Sequence, residues 1–433
     1  MYYLITNYGS RSKTKGIHAS YMFVIYTLFG SLFLFVGLVT LYCQSGSFNY
    51  SVLTTIPIHP SYQIILWISF FICFAVKLPI IPFHIWLLTA HVEGSTAASV
   101  ILAAILLKFG SYGLIRYNIA LFPIATQLFQ PFIWTLAILS ILYSSIAALS
   151  QIDMKLIIAY SSIGHVGTTV LGLFSNDLYG IQAGILFMVS HGLISSALFL
   201  LVGVLYDRYH TRTLLYYRGL SLTFPIFTTT LLFFSMANSG FPLTSGFIAE
   251  FLALSGIFNT NPFIALIASL SIVLVPAFML NLLHRICYGR YSSYITIVTS
   301  DLSIKEFHIF LPLILFTLGL GISPQILFDS CFFDVSHLLF CLLLATLGSL
   351  PTGLDMHLEP IRCWTSIWNL FAAGYPNSSG TARGPQGLRP HQPQDNYKGL
   401  ARWSKVPGPE GQGKVEGLLD GIHRTRLRPL PGI

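Results

Sequence analysis

Charged residues are scarce in this sequence. Of its 433 residues only 9% are Asp, Glu, Lys or Arg, whereas a soluble globular domain carries about 25%. Hydrophobic residues make up 54%, and the stretches 21–42 and 263–283 contain no charge at all. Each stretch is long enough to cross the roughly 30 Å hydrocarbon core of a bilayer as a helix. The composition therefore excludes an ordinary soluble domain and predicts a membrane protein.

The patterns that build an independent active site are also missing. The six cysteines show no paired spacing that would hold zinc or an iron–sulfur cluster, and we interpret them as packing residues. The sequence contains no Gly-rich phosphate loop and no placed Ser/His/Asp set. We therefore expect the chain to bind no cofactor and to carry no active site of its own.

Apolar runs alternate with helix breakers along the chain, which predicts an all-α, polytopic bundle of about nine to ten transmembrane helices. A shorter apolar run, residues 335–350, could be a tenth span, but we expect it to lie at the membrane interface. The nine clearer spans are expected at residues 17–43, 62–83, 95–115, 129–149, 154–174, 179–205, 223–257, 262–284 and 306–327.

Basic residues in the predicted loops fall almost entirely on one side. If each run crosses once, the loops of one side hold Arg11, Lys13, Lys15, Lys155, Arg208, Arg212, Arg218, Arg285, Arg290 and Lys305. The opposite loops hold only Arg116. The positive-inside rule then predicts that the loop from Arg208 to Arg218 faces the matrix or the cytoplasm.

Composition divides the chain into three parts. Residues 1–16 form a matrix-side N-terminal segment, residues 17–337 a transmembrane domain, and residues 338–433 an apolar run followed by a tail rich in Gly, Pro and Arg. From residue 351 onward there are ten Lys or Arg and six Asp or Glu. This tail cannot bury a core and is expected to be disordered. A basic tail could bind anionic lipid or nucleic acid, but we favour a solvated extension without a function, or one read from sequence beyond the original gene end.

Three ionisable residues stand within the apolar spans: Lys77, Lys108 and Glu250. A charge at a helix centre costs about 2.5–3.5 kcal/mol on insertion scales, so we expect these side chains to face the bundle interior or water. Burial disfavours the charged form of both residue types, which lets them exchange protons near neutral pH. The alternative for Lys77, which lies near a helix end, is snorkelling to the interface.

Two histidines, His165 and His191, lie in equally apolar surroundings. Histidine ordinarily titrates near pH 6.5, so it can pass a proton in either direction at modest cost. The alternative is that each is a hydrogen-bonded core residue without a role in transport.

Helix breakers accompany the charges. Pro79 and Pro82 follow Lys77, and residues 238–246, which include Gly240 and Pro242, interrupt an apolar span before Glu250. Broken helices leave backbone groups that only protein or water can satisfy, so they occur where a span lines a hydrated path or a binding site. A breaker and a charge on one span are typical of transport proteins.

These residues resemble the antiporter-like subunit 4 family of respiratory complex I, the proton-pumping NADH:ubiquinone oxidoreductase, most closely its mitochondrially encoded forms. The similarity runs from about residue 9 to about residue 337. It is carried by residues 74–86, 90–93, 99–103, 156–162, 190–193 and 246–251.

The resemblance implies a mid-membrane proton relay. Lys77 would be the proton-holding lysine of the broken helix, Lys108, His165 and His191 the central connection, and Glu250 the terminal exchange group. NADH and ubiquinone would be substrates of the whole complex, in the mitochondrial inner membrane. The implied partners are the other membrane subunits, above all neighbouring antiporter-like subunits, together with membrane lipid and no nucleic acid.

The chain begins later than members of that family, which start with several further helices. The last of those helices carries a glutamate that pairs with the lysine matched by Lys77. We expect that a separate polypeptide supplies the missing helices or that the chain is truncated.

Two rival functions share parts of this pattern. Multi-subunit cation/proton antiporters have subunits with the same fold and lysines, although the stretches around His91 and Tyr160 favour complex I. A non-pumping or unassembled structural fragment is the other alternative.

Overall fold

Apolar segments must satisfy their backbone hydrogen bonds internally, and in this chain helices do so. A computed structural model describes residues 1–8, 13–56, 58–290, 292 and 300–346. These residues contain no β-strand, only one isolated bridge between Asp153 and Thr213. The all-α fold is thereby confirmed, while the tail predicted after residue 351 lies outside the described residues.

The described residues form sixteen α-helices, joined in part by two π-helical and two short 3₁₀ segments. The α-helices are α1 (Tyr2–Tyr8), α2 (Lys13–Ser45), α3 (Tyr50–Thr55), α4 (Pro60–Lys77), α5 (Ile85–Glu93), α6 (Thr96–Ile101), α7 (Leu107–Gly113), α8 (Pro123–Ser150), α9 (Met154–Leu173), α10 (Leu178–Tyr209), α11 (Pro225–Asn238), α12 (Ser245–Thr260), α13 (Pro262–Ala268), α14 (Ser271–Cys287), α15 (Ile304–Ile322) and α16 (Gln325–Thr346). The π-helical segments are Leu102–Leu106 and Leu114–Ile119, and the 3₁₀ segments are Leu214–Tyr216 and Leu220–Leu222.

Within the described ranges nine helical stretches are long and apolar enough to cross a membrane, so the chain is a multi-pass membrane protein. Eight of them coincide with expected spans. The remaining expected span, residues 223–257, is a broken pair of helices, α11 and α12. The remaining observed stretch belongs to α16. The nine stretches are Lys13–Ser45, Pro60–Lys77, Thr96–Ile119, Pro123–Ser150, Met154–Leu173, Leu178–Tyr209, Pro262–Cys287, Ile304–Ile322 and Gln325–Leu343.

The first predicted break lies between α4 and α5. α4 ends at Lys77, and Pro79 and Pro82 follow in non-helical turns. Proline has no backbone N–H and clashes with the preceding turn, so the helix cannot continue through it. The indole of Trp86 donates to the carbonyl of Val76 at 2.9 Å and so satisfies a group at the broken end. The break expected beside Lys77 is confirmed.

The second predicted break separates α11 from α12. The two helices have 14 and 16 residues, and neither alone has the length of a typical membrane span. Gly240 has a φ of +71° and Leu243 one of +75° in the connecting turn. Gly321 of α15 packs directly on the backbone of Leu243, where a β-carbon would not fit. The break expected at Gly240 and Pro242 is also confirmed.

Residues 335–350 were predicted to form an interfacial segment, but the helix that contains residues 335–346 begins ten residues earlier, at Gln325. The structure ends α15 at Ile322 and starts α16 at Gln325, so residues 335–346 belong to a 22-residue helix. The helix continues through the acidic residues Asp329 and Asp334, which precede the apolar run, and the Gln325 amide donates to the Asp329 carboxylate within it at 2.7 Å. By length and composition this helix is a candidate crossing.

Glycines let the two lysine-bearing spans approach closely. A β-carbon on Gly110 would lie 2.7 Å from Leu78, the residue after Lys77, and one on Gly113 would overlap the ring of Phe74. α7, which carries Lys108, therefore packs against the end of α4 with almost no space between backbones.

The basic loops predicted on one side of the membrane meet at one end of the bundle. Lys155 Nζ donates to the carbonyl of Gly94 at 3.0 Å, and Arg212 donates to the carbonyl of Val92. Lys155 is 2% exposed and lies in the first turn of α9. It was expected in a loop, but the structure buries it against the turn between α5 and α6.

Arg116, the basic residue predicted for the opposite side, lies against an aromatic cluster. Its guanidinium carbon is 4.0 Å from the centre of the Tyr50 ring, a cation–π distance. Tyr50 donates its hydroxyl proton to the Arg116 carbonyl at 3.1 Å. Burial raises the pKa of Tyr50 to about 12, so the phenol keeps the proton that it donates.

Candidate proton-translocation site

Lys108 lies on α7 between the two π-helical segments. Its ammonium reaches back over the preceding wide turn and donates to the Ala103 carbonyl at 2.5 Å. π-helical turns are rare and concentrate at functional sites. The sequence of Leu102–Leu106 gave no sign of this irregularity, because leucine, alanine and isoleucine suit an ordinary helix in an apolar span.

Lys108 also contacts His191 on α10. Lys108 Nζ lies 2.9 Å from His191 Nδ1. Gly192 lies beside this contact: a β-carbon there would stand 3.3 Å from the Ala104 carbonyl oxygen and 3.4 Å from Lys108 Cε. The structure therefore brings together two of the residues singled out from the sequence, and joins them by hydrogen-bond distance.

His165 on α9 completes a central cluster with His191. The two imidazole centres are 5.7 Å apart, with the rings tilted by 54°. Lys108, His165, His191 and Glu250 are each at most 7% exposed. Lys108 and Glu250, which were expected to face the bundle interior, are therefore buried there together with the two histidines.

A small cavity connects the histidines to Glu250. Its volume, taken as the space that the centre of a water molecule can occupy, is about 10 Å³. This is room for about one water. Its lining includes His165, Ser190, His191, Asn238 and Glu250. Residues from α9, α10, α11 and α12 thus line one small cavity inside the bundle.

Four buried polar atoms of residues that line the cavity form no hydrogen bond of normal geometry with any other described residue. They are His165 Nε2, His191 Nε2, Ser190 Oγ and Asn238 Nδ2. A buried polar group without a partner costs about 1–3 kcal/mol. The cavity has room for about one water molecule, and such a water needs at least two of these atoms as hydrogen-bond partners.

Glu250 lies at the far end of the cavity from Lys108. Its Oε1 accepts a hydrogen bond from Ser271 Oγ at 2.7 Å. A β-carbon on Gly240 would lie 2.9 Å from Glu250 Oε2. The broken helix α11/α12 therefore supplies both the carboxylate and the glycine that leaves space for it.

Lys77 stands apart from this cluster. It is half-buried at the end of α4, and no described residue forms a hydrogen bond or an ion pair with its ammonium. It does not line the cavity that holds the histidines and Glu250. The close packing of α4 on α7 nevertheless places it on the span next to Lys108.

Sequence reasoning missed several polar residues of the site. His91 is fully buried, stacks on Phe199 at 4.4 Å between ring centres, and has no hydrogen-bond partner on either ring nitrogen. Ser190 and Ser271 were not singled out, because an isolated serine in an apolar span usually bonds its own helix. Asn238 could have been found, since it begins the predicted break.

The arrangement suits the movement of protons. A lysine, two imidazoles and a carboxylate lie in sequence across the bundle, buried and linked by contacts or by the cavity. Among the described residues no group of three His, Cys, Asp or Glu is arranged to hold a metal ion. The roles of the individual residues in the relay remain predictions.

Comparison with known proteins gives the chain a family. Residues 1–275 match the family model described as NADH:quinone oxidoreductase/Mrp antiporter, TM. The NADH-ubiquinone oxidoreductase chain 4 of Marchantia polymorpha is 46% identical over 338 residues, which cover 78% of this chain and 68% of that protein.

Two solved structures share the fold. A chain of respiratory complex I from Thermus thermophilus with bound NADH has a TM-score of 0.73 at 29% identity, covering 81% of this chain and 72% of its own. A chain of the Mrp complex from Dietzia sp. DQ12-45-1b has a TM-score of 0.70 at 19% identity, with 78% and 71% covered. The predicted resemblance is thus confirmed, and the chain belongs to the family of membrane subunits shared by NADH:quinone oxidoreductases and Mrp antiporters.

Proposed function

We propose that this chain is a proton-translocating membrane subunit of respiratory complex I in the mitochondrial inner membrane. It contributes to NADH:ubiquinone oxidoreductase activity by coupling electron transfer to proton movement and carries no redox site of its own. The 46% identity to a chain 4 protein supports complex I. The likeness to the Mrp subunit, at 19% identity, concerns the fold alone.

The observation that carries this proposal is the placement of the two ring nitrogens of His191. Nδ1 lies 2.9 Å from Lys108 Nζ. Nε2 has no hydrogen-bond partner among the described residues, and His191 is one of the residues that line the cavity. An imidazole can accept a proton on one nitrogen while it releases a proton from the other. His191 therefore connects Lys108 to the cavity without any movement of the backbone.

The relay then runs in short steps. A proton leaves Lys108 Nζ and binds His191 Nδ1, while the proton on Nε2 passes into the cavity. A water molecule there transfers a proton to Glu250, with His165 and Asn238 holding that water. Each transfer breaks one N–H or O–H bond and forms another, so charge moves across the bundle without net chemistry.

Lys77 is the proposed entry point for the driving force. A change of charge beside its ammonium alters the electrostatic potential at Lys108, on the next span. In the complex that change would come from neighbouring antiporter-like subunits, as quinone reduction shifts their charge and hydration. NADH and ubiquinone act on the complex as a whole, and the proposal assigns no cofactor to this chain.

The direct test replaces His191 by Ala in complex I and reconstitutes the purified complex in vesicles. NADH-driven proton uptake should fall by at least about tenfold, because the connection to the cavity is lost. His308→Ala is the matched control, since His308 is an exposed histidine on α15 outside the cavity. Undiminished uptake by a fully assembled His191→Ala complex would contradict the proposed relay.

A sodium measurement separates the rival function. In vesicles that hold the complex, a cation/proton antiporter would exchange sodium for protons without NADH. The proposal predicts proton uptake that requires NADH and does not change with a sodium gradient. Sodium-dependent exchange without NADH would favour the antiporter.

Mass spectrometry of the purified complex tests the proposed partners. We expect peptides of this chain together with those of other complex I membrane subunits. A purified complex that lacks this chain would favour the unassembled fragment.

A further inference from the structure

The span from α13 to α14 contains a break that lies next to Glu250. α13 ends at Ala268 and α14 begins at Ser271, within a single 26-residue candidate crossing. The amides of Ile272 and Val273 bond three residues back, to the carbonyls of Ser269 and Leu270, so the chain forms a tight turn there.

A proline explains this tight turn. Pro276 lies inside α14, so it offers no N–H to the carbonyl four residues earlier and its ring clashes with that turn. The helix responds by shifting to three-residue bonds in the turn that precedes the proline. As a result, Ser271 starts a new helix near the middle of the membrane, with its hydroxyl facing inward.

That hydroxyl contacts the carboxylate of the proposed relay. Ser271 is 1% exposed, and its Oγ donates to Glu250 Oε1 at 2.7 Å. Most serines in these spans bond a carbonyl of their own helix, as Ser269 does with Leu266 at 2.7 Å. Ser271 instead makes its hydrogen bond across the bundle, to a residue 21 positions earlier in the chain.

The two oxygens of Glu250 thus have different surroundings. Oε2 lies beside Gly240, which lines the cavity together with Glu250. Oε1 accepts the hydrogen bond from Ser271, which is not a lining residue. A hydroxyl that donates to a carboxylate favours its deprotonated form and fixes its rotamer. When a proton arrives from the cavity, Oε2 receives it while Oε1 stays held.

We propose that Ser271 is a positioning residue for Glu250: it keeps Oε2 turned towards the cavity and helps the carboxyl group to release its proton. This inference rests on the proposed function, because it gives a role to a partner of the terminal exchange group. The other titratable groups on the cavity are His165 from α9 and His191 from α10, with Lys108 behind His191; α11 contributes Asn238, which does not titrate.

The test compares three serine variants in the assembled complex I, reconstituted in vesicles. Ser271→Ala removes the donor, Ser271→Thr keeps a hydroxyl, and Ser269→Ala removes a serine from the same turn that does not contact Glu250. The rate of NADH-driven proton uptake is measured from acid to alkaline pH, together with the amount of assembled complex.

We expect Ser271→Ala to move the acid side of the uptake profile to higher pH by about one unit, the size expected for the loss of a hydrogen bond to a charged group. The sign follows because the carboxylate loses its donor, so Glu250 holds its proton to higher pH. Ser271→Thr and Ser269→Ala should keep the wild-type profile.

A Glu250→Gln complex separates the two proposals. If it pumps normally, the proposed relay fails. If it stops pumping while Ser271→Ala keeps the wild-type profile, only the role of Ser271 fails. An equal shift in Ser269→Ala would also overturn that role, since it would reflect a general change in the turn.

Discussion

Lys108 Nζ and His191 Nδ1 lie 2.9 Å apart, although 83 positions separate the two residues in the chain. Both side chains are buried, and the ammonium has the Ala103 carbonyl as its other hydrogen-bond partner. A buried cation held by one carbonyl and one imidazole has an outlet for its proton only through the imidazole. The pair is therefore the step on which the proposed relay depends.

A double-mutant comparison tests whether the two residues act on one path. Lys108→Ala and His191→Ala should each reduce NADH-driven proton uptake strongly. The double variant should be no worse than the more affected single variant, since residues that act as a unit are not additive. Losses that multiply in the double variant would indicate two separate paths.

Gly240→Ala should impair proton uptake through Glu250. The φ of +71° costs any other residue about 1–2 kcal/mol, and the new β-carbon would lie 2.9 Å from Glu250 Oε2. Gly46→Ala is the matched control, because Gly46 has a φ of +68° and no atom within 4 Å of that position.

Both variants should lower the thermal midpoint of the purified complex to a similar extent. Only Gly240→Ala should lower the rate of proton uptake in vesicles. Equal rates in the two variants would show that the space beside Glu250 is unimportant.

Gly113→Ala should destabilise the contact between the two lysine-bearing spans. The added methyl group would overlap the ring of Phe74, and overpacking of this kind costs about 1–3 kcal/mol. Gly319→Ala should have the opposite effect. Gly319 is exposed on α15, and a β-carbon there would have no atom within 4 Å. Alanine should therefore stabilise α15 by about 0.5–1 kcal/mol. Thermal unfolding of the two variants should shift in opposite directions.

Asp301→Ala should loosen the start of the broken helix. The Asp301 carboxylate accepts hydrogen bonds from the amides of Ile226 and Phe227, at 2.7 and 3.1 Å, in the first turn of α11. Loss of such a cap costs about 0.5–2 kcal/mol. Hydrogen exchange at these two amides should therefore become faster.

Asp329→Ala serves as the control for that measurement. Asp329 accepts only an exposed hydrogen bond from Gln325, on α16. Its removal should leave exchange in α11 unchanged. Equal exchange rates at Ile226 in the wild type and in Asp301→Ala would argue against the capping role.

Helix breaks were predictable from sequence where a proline or a glycine-rich turn makes a helix impossible. Pro79 removes a backbone donor, and residues 238–246 combine glycine, proline and polar residues, so both breaks followed from the sequence. The break before Ser271 was missed although Pro276 marks it, because the surrounding residues are uniformly apolar. The π-helical turns around Lys108 left no sign, since the residues of Leu102–Leu106 fit either kind of helix.

The identity of the relay residues could be predicted from the sequence, but the contacts between them could not. Lys108, His165, His191 and Glu250 stood out because ionisable groups are costly in apolar spans. Nothing in the sequence could tell that His191 contacts Lys108 directly, or that Lys77 makes no contact with the cluster. These contacts depend on how α7, α9, α10 and α12 pack, which is decided by side chains distant in sequence.

The sequence alone determined that this chain is a helical membrane protein with a few ionisable groups inside its spans, because so many long apolar runs require lipid as solvent and charges within them are costly and rare. The tertiary structure decided which groups meet. Close helix contacts at Gly110 and Gly192 bring the Lys108 segment against α4 and α10. Only the folded bundle could place Ser271 on Glu250, since a hydrogen bond between separate helices exists only where packing brings donor and acceptor together.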